Sequence, residues 1–341
     1  MLGGGLAQAD GLLLDRLRAR LMERLTFQRR PELVRSELGD EAGCLGAALM
    51  AWQAADDTTN RRRPMPLTRT DEIIDSAYRD GVGVGAFNVV QLEHAEAIIA
   101  GAEEARLPVI LQISENTVRY HGSIIPIGSA SLALARLADV PVAVHLDHAE
   151  SVDLVYEAVE LGFSSVMFDA SRLPYDENVA ATRDITAYCH DSSAWVEAEL
   201  GEVGGKDGAH APGVRTDPGE ARAFVEATRV DALAVAVGSS HAMLSRDAVL
   251  DFALIAKLRE AVSVPLVLHG SSGVADPDLR AAVASGMTKV NVSTHLNSIF
   301  TRTVRDGLGR STTVDPRKYI GPARDAVASE VARLLRVLGG A

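Results

Sequence analysis

Three of the nine histidines in this 341-residue chain, His148, His241 and His269, lie in or just after apolar runs that read as β-strands. A single histidine there is most often a hydrogen-bonded core residue. Three brought to one place are different, because three neutral imidazoles around an open position make a catalytic zinc site. His145 precedes His148 by three residues, so strand alternation sends it to the other side and it stays out of the ligand set. Asp147 adjoins His148; a carboxylate beside a Lewis acid either orients a ligand or moves protons. Glu199 reads as a further metal ligand or as an orienter. His94, His121, His190 and His295 fall on helical patterns or connections and read as structural, while His210, in a long loop, stays open.

A second chemistry is written in small residues. Gly270-Ser271-Ser272-Gly273 follows one strand, and Asn291-Val292-Ser293-Thr294 leads from another into a helix. Backbone N–H groups at a helix start, with small hydroxyls beside them, bind phosphate. Ser293 or Thr294 also reads as a helix N-cap, and the two roles are compatible. A metal, a phosphate pocket and an acid–base group together suit carbon–carbon chemistry on a sugar phosphate, with the metal polarising a ketone. The other route to such an electron sink is a Schiff-base lysine. Of the four lysines, Lys206, Lys257, Lys289 and Lys318, only Lys289 falls on a strand. It lies about 6–7 Å deeper than Asn291 by strand rise. A Schiff-base enzyme would leave the three histidines unexplained.

These residues need a frame that brings distant strand ends together. Strands are predicted over 82–89, 108–114, 140–149, 164–171, 195–201, 232–241, 265–273 and 288–294, preceded by a helix over 71–80 and separated by helical patterns. Eight strand–helix alternations predict a parallel sheet closed on itself, a (β/α)8 TIM barrel. A doubly wound open sheet is the rival, but Gly81-Val82-Gly83-Val84-Gly85 opens a strand rather than a helix and is not its dinucleotide fingerprint. Polar residues fall at the carboxyl end of every strand, among them Asn88 on the first and Ser114 on the second. In a barrel those ends form one face around one site. Near the end of the chain Pro322 reads as a first-turn residue, and Val327, Val331, Leu334, Leu335 and Leu338 form one apolar stripe.

A polar stretch over 58–66, with Arg61-Arg62-Arg63-Pro64, reads as a linker between a helical N-terminal extension (1–57) and the barrel (67–341). The net charge of −12 and the lack of a clustered basic surface argue against nucleic acid as a partner. No apolar run is long enough to span a membrane, and no leader pattern opens the chain. Cys44 and Cys189 form neither a disulfide framework nor a metal knuckle, which predicts a reduced, cytoplasmic setting.

From about Leu67 onward the chain resembles the class II, metal-dependent ketose-bisphosphate aldolases, and within them the tagatose-bisphosphate branch. The resemblance rests on Gly85-Ala86-Phe87-Asn88, His145-Leu146-Asp147-His148, Val196-Glu197-Ala198-Glu199-Leu200-Gly201, Gly204-Gly205, Leu268-His269-Gly270, Lys289-Val290-Asn291-Val292 and Asp315-Pro316-Arg317-Lys318-Tyr319. It implies Zn2+ on His148, His241 and His269, and Asp147 as acid–base on the C4 hydroxyl. It implies Asn291 against the dihydroxyacetone phosphate part, whose phosphate would meet Gly270, Ser272, Ser293 and Thr294. A monovalent cation near that phosphate and a homodimer or homotetramer are implied as well. The substrate would be tagatose or fructose 1,6-bisphosphate, with Arg317 and Arg324 as candidates for its second phosphate.

Four departures stand out. The family's Gly-Gly-x-Glu-Asp reads Gly204-Gly205-Lys206-Asp207-Gly208, so Asp207 would serve at C3 with a shorter reach. Ala242 replaces a glycine, Gly270-Ser271 a glycine doublet, and Asp169-Ala170-Ser171-Arg172 the family's Asp-Gly-Ser-His. Another ketose phosphate, or a non-catalytic subunit role, are the alternatives these leave. The first 57 residues resemble the C-terminal end of a ROK-type sugar kinase, through Leu2-Gly3-Gly4-Gly5-Leu6-Ala7 and the run from Leu38 to Ala48. That kinase's phosphate loop, catalytic aspartate and zinc-cysteine cluster are missing, so the segment reads as a fusion remnant without kinase activity. The plainer alternative is an ordinary helical extension that packs along Leu13, Leu17, Leu21 and Leu25.

Overall fold

The computed structural model describes residues 66–200, 215–240, 243 and 245–339. The N-terminal extension, nearly all of the linker, Cys44, Asp207, His210 and His241 lie outside the described residues.

Eight parallel strands close in sequence order: β1 (Val84–Asn88), β2 (Val109–Ser114), β3 (Val142–Ala149), β4 (Ser165–Phe168), β5 (Trp195–Glu199), β6 (Ala232–Ala234), β7 (Leu266–Leu268) and β8 (Met287–Val292). Helix α1 (Thr70–Asp80) precedes them. Between the strands run α2 (Leu92–Ala105), α3 (Glu115–His121), α4 (Ile124–Leu137), α5 (Val152–Leu161), α6 (Tyr175–Asp191), α7 (Pro218–Thr228), α8 (Phe252–Ala261) and α9 (Asp276–Ser285). Helices α10 (Thr294–Arg310) and α11 (Arg317–Leu338) complete the chain. The predicted TIM barrel is therefore the fold.

Strand alternation sorts the apolar side chains into two sets. Leu111, Val144, Val166, Val196, Leu233 and Val290 belong to the layer between barrel and helices. Val84, Ala86, Ile110, Ala143, Met167 and Val267 form a separate cluster with Trp195 inside the barrel. Ile73, Ile74 and Ala77 of α1 join this inner cluster from the amino-terminal end. Each large side chain buried in either set contributes about 1.5–3 kcal/mol. Apolar packing thus fills the lower barrel and leaves the carboxyl ends of the strands to polar groups.

Strands β6 and β7 are shorter than predicted. Their expected distal halves contain Gly238 at φ 124° and Gly270 at φ 66°, left-handed positions that leave the sheet. A Cβ on Gly270 would lie 2.5 Å from the Ser240 carbonyl oxygen, so here glycine allows two loops to touch by their backbones.

The terminal stripe is buried as predicted: Val327, Val331, Leu334, Leu335 and Leu338 are all 2% exposed or less. Pro322, however, is not in the first turn. Asp315 Oδ1 accepts the Arg317 backbone N–H at 3.1 Å and starts the helix earlier, so Pro322 lies inside α11. Gly101 of α2 lets α11 approach, since a Cβ there would be 2.5 Å from the Ala328 carbonyl oxygen. Cys189 on α6 is buried, and burial followed by the nearby Asp231 pushes its thiol up to about 12.

Candidate active site

The site begins with a broken alternation in β3. His145 and Asp147 face the barrel interior, whereas Leu146 faces the helices. His148 ought then to point outward. Instead the β3–β4 register shifts between Leu146 and Ala149, and His148 adopts φ 50°. A bulge of this kind re-aims a side chain, and positive φ on a non-glycine residue costs on the order of 1–3 kcal/mol. It brings His148 to the mouth beside His269, with ring centroids 4.6 Å apart.

This corrects the placement of His145. It faces the same interior as Asp147, a layer deeper, with Nδ1 2.8 Å from Ser165 Oγ and Nε2 3.8 Å from Glu197 Oε2. Burial, then the charge of Lys289, lowers its pKa to about 3.

Two carboxylates decide which imidazole nitrogens face inward. Asp169 Oδ2 accepts from His148 Nδ1 at 2.8 Å, and Glu197 Oε1 accepts from His269 Nε2 at 2.9 Å. Ionised carboxylates only accept, so each ring carries its proton on that side and turns its other nitrogen to the mouth. His269 Nδ1 lies 3.5 Å from Glu199 Oε2. One donor atom each of His148, Glu199 and His269 lie within 4.8 Å of one another. Two imidazoles and a carboxylate, two of them oriented by acidic partners, fit a divalent transition metal.

Lys289 supports this set from below. It is fully buried, and its Nζ donates to Glu197 Oε2 at 2.8 Å and to Asn291 Oδ1 at 2.9 Å. Burial favours a neutral Glu197, but Lys289 and His269 overcome it and hold the carboxyl far below the usual range. The strand lysine thus forms an ion pair, as a buried charge requires.

Asp147 is buried, with Oδ2 accepting from Asn88 Nδ2 at 2.9 Å, while Asn88 Oδ1 accepts from Gln112 Nε2 at 2.8 Å. Its Oδ1 is buried with no hydrogen-bond partner among the described residues. Burial would raise its pKa; the neighbouring His148, His269 and Lys289 lower it to about 2. It is an ionised carboxylate with one oxygen fixed and the other open to a proton.

The predicted phosphate loop is a 3-10 turn, Ser271–Gly273, facing the start of α10. Ser293 occupies the N-cap position without a capping bond of its own. Ser272 Oγ does that work across the gap, accepting from the backbone N–H groups of Ser293 at 3.3 Å and His295 at 3.2 Å. Ser271 Oγ donates to the Asn291 carbonyl, and Ser239 Oγ to the His269 carbonyl at 2.6 Å. Gly270, Ser272, Ser293 and Thr294 are thus brought together beside Asn291.

Residues 68–341 match the family described as fructose-bisphosphate aldolase class-II. The chain belongs to this family. It is 40% identical over 280 residues to a fructose-bisphosphate aldolase of Geobacillus stearothermophilus, covering 81% of this chain and 98% of the relative. It is 39% identical, with the same coverage, to that of Staphylococcus aureus. Among solved structures, the YdjI aldolase from Escherichia coli K12 superposes with a TM-score of 0.72 at 31% identity, over 80% of this chain and 97% of its own. The chain is therefore an aldolase, a carbon–carbon lyase of a metal-dependent family.

Some predicted residues of this aldolase take other roles. Ser114 caps α3, accepting from the Thr117 N–H at 3.3 Å. Arg317 pairs with Asp315, and Arg324 with Glu96 and Asp325, so both candidates for the second phosphate are held by acidic neighbours. His121, His190 and His295 lie against Val90, Asp231 and Glu330, and His94 stacks on Phe300. Four residues were not singled out for the roles they have: Gln112, Asp169, Glu197 and Lys289. Three share alternation parity with a residue predicted at the site, Gln112 with Ser114, Glu197 with Glu199, and Lys289 with Asn291. That parity was the available clue. Among the described residues no helix is long and apolar enough to cross a membrane.

Proposed function

We propose that this aldolase cleaves a ketose 1,6-bisphosphate, fructose or tagatose 1,6-bisphosphate, reversibly to dihydroxyacetone phosphate and glyceraldehyde 3-phosphate. The observation that carries the reading is the convergence of His148, Glu199 and His269 beside Asp147 Oδ1. The named relatives are fructose-bisphosphate aldolases.

His148, Glu199 and His269 would hold the metal, with His241 as a further ligand and Zn2+ as the ion the donor set suits. A metal held there would polarise the C2 ketone and stabilise the negative charge left on the departing three-carbon fragment. Asp147 takes the proton of the C4 hydroxyl through Oδ1. The C3–C4 bond breaks, C4 becomes the aldehyde carbon, and the bonding pair stays with C3. Asp207, carrying a proton taken from solvent, then supplies it at C3, and Asp147 returns its own proton to solvent, so both carboxyl groups are restored. Asn88 keeps Asp147 aimed, and Lys289 holds the Asn291 side chain, whose Nδ2 lies 3.1 Å from His269 Nε2, beside the dihydroxyacetone part. The phosphate sits against Gly270, Ser272, Ser293 and Thr294 at the α10 start, with a monovalent cation beside it. A homodimer or homotetramer in a cytoplasmic setting completes the reading.

A coupled triose-phosphate assay on both C4 epimers, before and after complete chelation, tests it. Cleavage of at least one bisphosphate, lost with the metal and restored by Zn2+, is expected. Full activity in metal-free protein overturns the reading.

A further inference from the structure

Behind the phosphate turn runs a chain of charged side chains that bond cleavage does not use. Its role depends on the phosphate pocket proposed at the Ser271–Gly273 turn. His295 Nε2 donates to Glu330 Oε1 at 2.6 Å. Glu330 also accepts from Arg333, through Nη2 at 2.7 Å and Nε at 2.8 Å. Arg333 reaches on to Asp276 through Nη1 and Nη2. Asp276 accepts from Arg246 Nη2 at 2.7 Å, and Arg246 donates to the Val274 carbonyl from Nε at 2.8 Å and Nη2 at 2.6 Å. Burial favours neutral carboxyls, but Arg333 and His295 hold Glu330 down at about 2, and Arg333 and Arg246 lower Asp276.

Both ends of this chain meet the turn. His295 is the second residue of α10, and its backbone N–H donates to Ser272 Oγ. At the other end, Arg246 is in the loop after β6, where the Ala248 N–H donates to the Gly273 carbonyl at 2.9 Å. A Cβ on Gly273 would collide with Met243 of the same loop. One helix, α11, thus braces the loops after strands 6, 7 and 8. Half-exposed ion pairs add little stability singly. Their shared geometry can instead fix position, and phosphate affinity is sensitive to the placement of backbone donors.

We infer that Glu330 and Arg333 of the terminal helix are positioning residues for phosphate binding, acting through His295 and Asp276 on the start of α10 and the Ser271–Gly273 turn. Neither touches the substrate.

The test uses the full chain and its Glu330→Gln, Arg333→Met and His295→Gln variants. Arg336→Met serves as control, since Arg336 on the same helix pairs elsewhere, with Glu104 at 3.0 Å. Inorganic phosphate and dihydroxyacetone phosphate are titrated calorimetrically, alongside metal content, melting temperature, KM and kcat. Affinity for both ligands should fall about tenfold in the Glu330 and Arg333 variants, with kcat changed less than about twofold. A protein carrying both Glu330→Gln and Arg333→Met should lose no more than the worse single variant, and metal content should stay constant. Unchanged affinity for both ligands with a lowered melting temperature overturns the inference and leaves these pairs merely structural. If Arg333→Met does not fold, Glu330→Gln and His295→Gln carry the same test. A wild-type chain that binds neither ligand overturns both the inference and the pocket assignment. One that binds both but cleaves no bisphosphate overturns the proposed function alone.

Discussion

Glu197 Oε1 accepts from His269 Nε2 at 2.9 Å, and that bond selects Nδ1 as the nitrogen His269 presents to a metal. Glu197→Gln keeps the shape but lets the amide nitrogen face the ring. Zinc affinity, measured against a competing chelator, should fall about 10–100-fold. Unchanged affinity would show that the tautomer is set elsewhere.

Asp147 and the ligand histidines should separate cleanly. Asp147→Ala should keep its metal and lose turnover by about 100- to 10,000-fold, whereas His269→Ala and His241→Ala should lose metal first. Metal analysis beside the triose-phosphate assay checks both. An Asp147→Ala protein with normal turnover removes it from proton transfer.

Lys289 and Glu197 are buried together, so removing one partner should cost more than removing both. Lys289→Met leaves a buried carboxylate uncompensated and should lower unfolding stability by about 3–5 kcal/mol. The double variant Glu197→Gln with Lys289→Met should recover part of this in urea titrations. Additive losses would argue against the pair.

His145 makes a prediction for pH. Its folded pKa, about 3, lies below the ordinary 6.5, because burial and Lys289 disfavour the charged ring. Below pH 6.5 the unfolded chain binds a proton that the native one refuses. Stability from this group is therefore complete above 6.5 and is lost as pH falls toward 3. Wild type should lose on the order of a few kcal/mol more than His145→Asn between pH 7 and 4. Equal slopes for the two proteins would contradict this.

Much of the site was readable because a parallel barrel needs apolar strands, so each polar residue at a strand end was conspicuous. Asn88, Asp147, His148, Glu199, His269 and Asn291 all stand out this way, and the structure brings them to one mouth. Ser114 shows the limit: a serine where a strand becomes a helix serves equally as cap or ligand, and the Thr117 N–H takes it here. Strict alternation also misplaced His145, since a bulge two residues on cannot be read from residue types.

Residue order alone determined the closed barrel, through eight alternations of apolar runs with helical patterns, and it determined which residue types could reach its mouth. Only the tertiary structure decided their pairing. The turn at His148, the Glu197–Lys289 pair and the brace from His295 to Arg246 each join segments far apart in sequence. Periodicity encodes which face a side chain takes along one element. It carries nothing about which distant group will neutralise a buried charge or accept its hydrogen bond, because those partners are chosen by packing between elements.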